Sequence, residues 1–285
     1  EGRYFTKLLS AAGITKGDCF LTNVAHTLPK KNNIFETIPS EDIAAGKRQL
    51  ESDIIQYQPN IIIAVGGKAL EALTGKTSIF SYRGATIECN LVPGVKILPT
   101  VHPGNIIRGN QKYEPIVVND LSKALGESSF SEIRYPTRDV KIIRDVVDAI
   151  ELFREWSDCD IPVAADIESH GMSGNMTAYG FAPSRSLAYV VTKDLLECPS
   201  VLRALSRFCN STTPKIFHNG LFDVLHNAIY YNIYNSNFFF DTMIAQHAVM
   251  PVFPKSLAFC ASIYTSEPYW KDDNGNAFGK SSGGG

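Results

Sequence analysis

The sequence predicts an α/β protein built from two domains, and three observations carry this prediction. The chain has 285 residues, and at about 150 residues per domain this length favours two domains over one. Helical and strand patterns alternate along the chain, which is typical of α/β proteins. A polar stretch with Gly, Ser and Pro interrupts the alternation near the middle. We place the first domain at 1–127, a linker at 128–137 and the second domain at 138–285.

The helices and strands of the first half are predicted from the spacing of apolar residues and from glycines that end helices. Apolar residues at helical spacing predict a helix over residues 3–13, ended by Gly13. The continuous apolar run NIIIAVGG predicts a strand buried on both faces, which is typical of a parallel sheet. The other predicted elements are a strand in CFLTNVAHTLP that runs into a loop, a helix over residues 41–56, a helix in KALEALTG that Gly75 stops, and a strand, a loop and a helical turn in VKILPTVHPGNIIRG.

The same alternation resumes in the second half. DVVDAIELFREW has apolar residues at helical spacing, and IPVAADIES reads as a strand. MTAYGFAPSRSLAYVVT predicts a β-hairpin with its turn near Pro183–Ser186. The remaining predictions are a helix in CPSVLRALSRFCN, a short strand in PKIFHNG and a helix in FDVLHNAIYYN.

The composition limits the classes of function. Apolar residues make up 44% and charged residues 20% of the chain, as in ordinary globular proteins. The net charge of −2 gives no general basic surface, so contact with nucleic acid must be local or assisted by metal. Six cysteines without a C-x-x-C spacing indicate reduced thiols in an intracellular protein. No signal peptide opens the chain and its apolar runs are too short to span a bilayer, so we expect a cytoplasmic protein without a membrane partner.

Two carboxylates share one face at the end of a predicted strand. Asp166 and Glu168 follow the apolar run 161–165 in IPVAADIESHG, and side chains at positions i and i+2 of a strand point the same way. Two like charges this close repel each other and lose hydration. A divalent cation removes that cost, since Mg²⁺ is commonly held by one or two carboxylates together with substrate phosphates. The alternative is that both side chains simply face solvent.

Two further acidic positions follow along the chain. FHNGLFDVLHN places Asp223 in the first turn of a predicted helix, where the helix dipole favours a carboxylate. A simple N-terminal helix charge is therefore the alternative for Asp223. YTSEPYWKDD contains Tyr269 and Asp273 in a Y-x-x-x-D pattern, which on a helix places both side chains on one face. For Tyr269 the alternative is packing beside Trp270.

Taken together, these motifs resemble a known family. The ordered set D-x-E, N-x-x-F-D (Asn219, Phe222, Asp223) and Y-x-x-x-D resembles the three exonuclease motifs of the DEDD superfamily, in its tyrosine-bearing branch. The intervening FFFDTMIAQHAVMPVFPKSLAFCASIYT resembles the proofreading domain of family A DNA polymerases, particularly those of phages. The resemblance covers residues 136–285 and implies a ribonuclease H-like fold with a mixed sheet.

This resemblance implies metal-dependent removal of nucleotides from the 3′ end of single-stranded DNA. One metal ion would activate a water and the other would stabilise the leaving 3′-oxygen. Tyr269 would orient the water or help to deprotonate it, as a positioned hydroxyl can. The implied ligands of two Mg²⁺ or Mn²⁺ ions are Asp166, Glu168, Asp223 and Asp273.

Three neighbouring residues take nucleic-acid roles from the same resemblance. Met172 would wedge against the terminal base, with ordinary packing as its alternative. Asn219 would contact a phosphate, and Phe222 is grouped with it as a nucleic-acid-binding residue. The resemblance also implies a polymerase domain C-terminal to this chain as its partner, and a bacterial host cytoplasm if the protein is encoded by a phage.

The first half resembles a second family. GRYFTKLLSAAGI, CFLTNVAHTLPKKNN, PNIIIAVGGKALEALTG and KILPTVHPGNIIRG resemble, in order, segments of uracil-DNA glycosylases of the bacterial and archaeal iron–sulfur type, over residues 1–115. The resemblance implies an α/β/α sandwich with a parallel sheet. It places His102 and Arg108 in an H-P-x-x-x-x-R loop that contacts DNA, and Asn23 where uracil's edge is read. The alternatives are a loop residue before proline for His102 and strand-end capping for Asn23.

Departures from that second family change the expected activity. Its water-activating Gly-Glu-Ala-Pro-Gly loop would lie upstream of residue 2 and is not in this chain. Thr27 and Gly46 stand where cysteine ligands of an iron–sulfur cluster are expected, and such a cluster needs four thiolates. We therefore expect no iron–sulfur cluster and an N-terminally incomplete, inactive glycosylase-like domain that still binds DNA or packs against the exonuclease.

Three functions remain open from the sequence. The first is a metal-dependent 3′-5′ exonuclease that forms the proofreading part of a phage-type family A DNA polymerase. The second is a non-catalytic DNA-docking or structural module of a replication protein. The third is a 3′-5′ exonuclease that acts on RNA, since related ribonucleases share the motifs. The intact set of acids favours the first.

Overall fold

The computed structural model describes residues 2–27, 35, 38–171 and 174–270. The chain divides into two compact units, and the strands within the described ranges confirm the predicted α/β class. Unit 1 contains residues 1–135 and the residues from Ala261 onward, and unit 2 is Pro136–Cys260. The boundary near residue 135 lies in the predicted linker. The chain after residue 260 is grouped with unit 1, whereas the sequence placed it in the second domain.

Unit 1 is built around a small sheet. In the described part of this unit, the strand order is β1-β3-β2. Strands β1 (Ile62–Val65) and β3 (Lys96–Thr100) run parallel, as the apolar pattern predicts, and β2 (Ile87–Glu88) is antiparallel to β3. The helices are α1 (Gly2–Ala11), α2 (Ser40–Tyr57), α3 (Gly67–Thr74), α4 (Ile79–Tyr82), α5 (Pro103–Ile107) and α6 (Glu114–Glu127).

The strand predicted in CFLTNVAHTLP is wrong for the described residues 19–27, which form no strand. This segment packs against α2 instead of joining the sheet. A Cβ atom at Gly46 of α2 would lie 2.1 Å from the backbone oxygen of Val24, so glycine is what permits the close approach. The ring of Phe20 stacks on Tyr57 at the end of α2, with 4.2 Å between the ring centroids. The segment contacts the helix only in part, since Phe20 and Leu21 are each 53% exposed.

Arg83 and Asp120 form a buried ion pair in unit 1. Arg83 is 1% exposed, and its Nε donates to Asp120 Oδ2 at 2.9 Å while a second guanidinium nitrogen bonds the other carboxylate oxygen. Thr100 also donates to Asp120, at 2.8 Å. Gly84, at φ +72°, lies against the pair, since a Cβ there would come within 2.6 Å of Asp120. Both charges are thus held by several hydrogen bonds, which burial of charge requires.

The chain after residue 260 belongs to this buried network. Helix α12 (Leu257–Tyr264) carries Ser262, whose hydroxyl accepts from Arg83 Nη1 at 2.9 Å. The backbone oxygen of Ser262 accepts from Lys123, which also donates to Gly84. These contacts explain why the C-terminal segment is grouped with unit 1.

Unit 2 contains a larger mixed sheet. Across its described residues the strand order is β4-β7-β6-β5-β8-β9, with β5, β6 and β7 antiparallel and the β4–β7, β5–β8 and β8–β9 pairs parallel. The strands are β4 (Asp139–Ile143), β5 (Val163–Ser169), β6 (Met176–Ala182), β7 (Leu187–Thr192), β8 (Lys215–Phe217) and β9 (Phe238–Asp241). The predicted hairpin is the β6–β7 pair, and the mixed sheet confirms the predicted fold class.

The helices of unit 2 cover the sheet and complete its core. Buried rings at Phe153, Phe181 and Phe208 pack together, with ring centroids 5.0–6.4 Å apart, and join α7 and α9 to the sheet. The helices are α7 (Val146–Glu155), α8 (Lys193–Leu196), α9 (Pro199–Cys209), α10 (Gly220–Tyr231) and α11 (Thr242–Val249). None of the helices in the described ranges has the length and apolar character needed to cross a membrane.

Candidate metal centre

Strand β5 supplies two carboxylates on one face. Along β5, residues 163, 165 and 167 are buried and residues 164, 166 and 168 are exposed, so Asp166 and Glu168 share the face turned away from the core. One edge of β5 pairs with β6 along its length. The other edge pairs with β8 only at Val163 and Ala164. The second half of β5 is therefore open on that edge, beside the two acids.

Asp223 occupies this open edge. It lies in the first turn of α10, is 3% exposed, and its Oδ1 accepts the backbone N–H of Ile167 at 2.9 Å. A carboxylate thus takes a hydrogen bond from the one residue that separates Asp166 from Glu168. The structure therefore brings the first and second sequence motifs together, although they lie about 55 residues apart in the chain.

The electrostatics of the three acids are unfavourable without a cation. Burial raises the pKa of Asp166 to about 6, and the charges of Asp223 and then Glu168 add to the shift. Burial also raises the pKa of Asp223, although the hydrogen bond from Ile167 opposes it. Within the described part of the chain, no Lys or Arg forms an ion pair with any of the three. A cation bound among them would offset this excess of negative charge.

The donor chemistry of the three acids fits a hard divalent ion such as Mg²⁺ or Mn²⁺, which prefers carboxylate oxygens. Three of the four predicted ligands lie in the described residues, and the fourth, Asp273, lies outside them. In the part of the chain that the structure describes, no group of three or more His, Cys, Asp or Glu side chains is arranged so that it could hold a metal ion. Metal binding by Asp166, Glu168 and Asp223 therefore stays a prediction.

Sequence reasoning missed Asp241, which lies at the end of β9 beside this site. Its carboxylate accepts backbone N–H groups of Asn219 and Gly220 at the start of α10, and of Met243 and Ile244 at the start of α11. Burial alone would raise its pKa, but these four hydrogen bonds outweigh burial and lower it. An Asp directly before the apolar run TMIAQHAV is a helix-start signal that could have identified it.

Helix α10 also anchors the connection between β5 and β6. His226 is fully buried and its Nε2 lies 2.8 Å from the backbone oxygen of Gly174; because a carbonyl oxygen only accepts, Nε2 carries the proton. Tyr231 accepts the backbone N–H of Met176 at 2.7 Å. Met172, predicted to wedge against a base, falls in this connection but lies outside the described residues.

The predicted nucleic-acid residues of the second motif lie next to Asp223. Asn219 precedes α10 in a left-handed conformation with φ +66°, which asparagine tolerates better than most residues. Phe222 is half-buried, and its ring stacks on His226 with 5.9 Å between centroids. Their contact with DNA stays a prediction.

Tyr269 is placed in unit 1. Its ring lies 4.5 Å from that of Tyr82, and its N–H donates to Thr86 O at 3.2 Å. Helix α12 ends at Tyr264, and residues 265–270 form no helix, so the helical premise behind the Y-x-x-x-D spacing is not met at Tyr269. Its role beside the metal ligands stays a prediction, as does packing beside Trp270, since the ring contact seen is with Tyr82.

The glycosylase-like residues lie in unit 1. The exposed His102 caps α5, with Nδ1 accepting from Gly104 N–H at 3.0 Å, and it packs against Gly66, where a Cβ would lie 2.9 Å from the His102 Cβ. Both follow the carboxyl ends of the parallel strands β1 and β3, where open α/β sheets bind ligands. Arg108, at the end of α5, and Asn23, in the segment without a strand, are exposed.

The residues of unit 1 do not fit an iron–sulfur cluster. Such clusters need four thiolates, and residues 1–135 contain two cysteines, Cys19 and Cys89. A side chain at Gly46, the expected ligand position in α2, would collide with the backbone of Val24. Thr27 has no thiol.

Comparison with known proteins assigns each half to a class. Residues 1–124 match the model of the uracil DNA glycosylase superfamily, and residues 140–259 match a 3'-5' exonuclease model. The chain therefore carries a uracil DNA glycosylase superfamily domain followed by a 3'-5' exonuclease domain, which confirms both resemblances drawn from the sequence.

A curated relative of the first domain is the Type-4 uracil-DNA glycosylase of Thermotoga maritima, 32% identical over 126 residues. The match covers 43% of this chain and 63% of the relative, so the chain spans less than two thirds of that protein.

Two solved structures overlap with part of the fold. Brucella melitensis NrnC with bound Mg²⁺ is 18% identical, with coverage of 46% of this chain and 62% of its own at a TM-score of 0.32. The Nibbler EXO domain of Aedes aegypti is 13% identical, with coverage of 42% and 63% at a TM-score of 0.35. TM-scores this low transfer nothing about activity to this chain.

Proposed function

We propose that the protein is a metal-dependent 3′-5′ exonuclease, the proofreading part of a phage-type family A DNA polymerase, fused to a glycosylase-like domain that is inactive and binds DNA. The observation that carries the proposal is the hydrogen bond from Ile167 to Asp223, which joins the acids of β5 and α10. Their excess charge on an open strand edge calls for a divalent cation.

In this proposal Asp166, Glu168 and Asp223 hold divalent metal together with Asp273. Two such ions would supply a nucleophilic water and stabilisation of the leaving 3′-oxygen. The chain's own contribution is to hold the ligands rigidly: β5 fixes two of them by its alternation, and Ile167 fixes the third. In the same proposal, Asn219 and Phe222, next to Asp223, position the 3′-terminal nucleotides.

The substrate is a single-stranded 3′ end, since the proposed partner is a polymerase that sends frayed primer ends to its exonuclease. The match of residues 140–259 to a 3'-5' exonuclease model supports a substrate of this kind. The same acids could serve an RNA exonuclease, so the experiment below compares DNA with RNA as substrate.

We further propose that the glycosylase-like half docks DNA without excising bases. This rests on Thr27 and Gly46, which stand where the family's thiolate ligands are expected. His102 and Arg108 lie exposed after the carboxyl ends of β1 and β3, which supports a DNA-binding role. The same observation favours the second candidate function, a non-catalytic docking module.

The decisive measurement is digestion of 5′-labelled single-stranded DNA and RNA oligonucleotides with Mg²⁺, with Mn²⁺ and with chelator. We expect stepwise shortening of DNA from the 3′ end, release of nucleoside 5′-monophosphates and no reaction with chelator. At saturating DNA, His102→Ala should leave the rate of digestion nearly unchanged, because His102 is neither a proposed metal ligand nor the residue proposed to orient the attacking water. If neither polymer is digested while DNA binds and His102→Ala or Arg108→Ala weakens that binding, the docking module is correct.

Tyr269→Phe tests the proposed role of the tyrosine. Removal of a hydroxyl that positions the attacking water lowers the rate by about 10²–10⁴-fold, and we expect a loss in this range. Tyr82→Phe is the matched control, because it alters the packing partner of Tyr269 in unit 1. Equal, near-normal rates in both variants would assign Tyr269 to packing alone.

A further inference from the structure

Asp241 joins the starts of two helices through one carboxylate. Its Oδ1 accepts the N–H groups of Met243 at 2.8 Å and Ile244 at 3.1 Å, which is ordinary N-capping of α11. Its Oδ2 accepts the N–H of Gly220, the first residue of α10, at 2.8 Å. Oδ1 also accepts the N–H of Asn219, just before α10, at the longer distance of 3.3 Å. Oδ2 therefore serves α10, and Oδ1 serves mainly α11.

The turn that Asp241 holds leads directly to a proposed metal ligand. Gly220 and Asp223 occupy the same first turn of α10. Gly220 has little freedom, since a Cβ there would lie 2.5 Å from Phe217 and 2.7 Å from Phe238. The turn is thus held between β8, β9 and the Asp241 carboxylate, and it presents Asp223 to Ile167 of β5.

We propose that Asp241 is a positioning residue for the metal centre, and that it acts through Gly220 by fixing the first turn of α10 and hence the carboxylate of Asp223. This inference rests on the proposed function of the site. Mutation of a residue that orients a metal ligand typically lowers metal affinity or activity by about 10–100-fold. Asp241 itself is a carboxylate saturated by backbone donors, so it stabilises the ligand's position and does not bind metal.

The cap of α11 and the shorter bond to α10 can be separated, because they use different oxygens. Asp241→Asn retains one oxygen for Met243, Ile244 and the longer bond from Asn219, and turns an NH₂ group towards the N–H of Gly220. The cap of α11 therefore stays, and the 2.8 Å bond that holds Gly220 is lost. Asp145→Ala is the matched control, because Asp145 caps α7 in the same unit by accepting from Val147 and Asp148. That variant loses a helix cap away from the acids.

The test is calorimetric titration of the full chain with Mn²⁺ alone, with Asp166→Ala to identify the signal of this site. We expect Asp241→Asn to weaken Mn²⁺ binding by about 10–100-fold and Asp145→Ala to leave it within threefold. Amide hydrogen exchange should speed up at Gly220 in Asp241→Asn and stay slow at Ile244. This readout needs no catalysis.

The outcomes separate the two proposals. If the wild-type chain shows no Mn²⁺ binding that Asp166→Ala removes, the proposed function fails and this inference fails with it. If wild type binds and Asp241→Asn binds equally well, or if Asp145→Ala weakens binding as much, only the inference fails. Asp241→Ser, whose hydroxyl still reaches α11, replaces Asp241→Asn if that variant does not fold. If neither folds while Asp145→Ala does, Asp241 is a folding residue and the inference is overturned.

Discussion

Asp166→Ala is expected to abolish 3′-end digestion while the protein stays folded. The substitution removes a proposed metal ligand from the exposed face of β5, and loss of a metal ion removes several kcal/mol of transition-state stabilisation. At 1.36 kcal/mol per factor of ten, this corresponds to a rate loss of about a thousandfold or more. Thermal stability should not fall, because the substitution removes the repulsion of Asp166 from Asp223 and Glu168.

The matched control for this result is Asp160→Ala. Asp160 is an exposed acid just before β5, so its removal changes the net charge equally and leaves the site intact. We expect a rate within a factor of about two of wild type, since surface substitutions away from a site have small effects. A chain that still digests DNA after loss of Asp166 would show that the activity lies elsewhere.

Asp120→Ala is expected to destabilise unit 1 by about 3–5 kcal/mol, the usual cost of removing one partner from a buried ion pair. Arg83 would lose its counter-charge at a position that is 1% exposed, and Thr100 would lose its acceptor. Hydrogen exchange followed by mass spectrometry gives the free energy of opening separately for peptides of unit 1 and unit 2. Only the peptides of unit 1 should change.

Glu71→Ala provides the comparison for an exposed pair in the same unit. Glu71 bonds Lys68 at 3.1 Å, and both side chains are more than 40% exposed. Exposed pairs contribute about 0–1 kcal/mol, so a small effect is expected. If Asp120→Ala costs no more than Glu71→Ala, the buried network does not stabilise the unit as described.

Much of the fold was predictable because its signals are local. The run NIIIAVGG gives β1, Gly75 ends α3 with φ +75°, and the alternation around Pro183–Ser186 gives the β6–β7 hairpin. The strand predicted in CFLTNVAHTLP failed because an apolar run carries no information on whether it meets a strand or a helix. Its helix contact depends on the missing side chain of Gly46.

The candidate site was predictable only in part. Period-two alternation in β5 is enough to place Asp166 and Glu168 on one face. The contact between Asp223 and Ile167, and the bond from Gly220 to Asp241, join positions far apart in the chain, and no local pattern encodes them. The grouping of Tyr269 with Tyr82 likewise depends on tertiary contact.

The contacts of Ser262 have a consequence for how the protein is made. Lys123 and Ser262 are 139 residues apart (262 − 123), with all of unit 2 between them. At a synthesis rate of about 5–20 residues per second, a ribosome needs on the order of ten seconds to cover this distance. The C-terminal segment of unit 1 is therefore synthesised only after all of unit 2. The hydrogen bonds from Arg83 and Lys123 to Ser262 are therefore the last part of this buried network to form during synthesis.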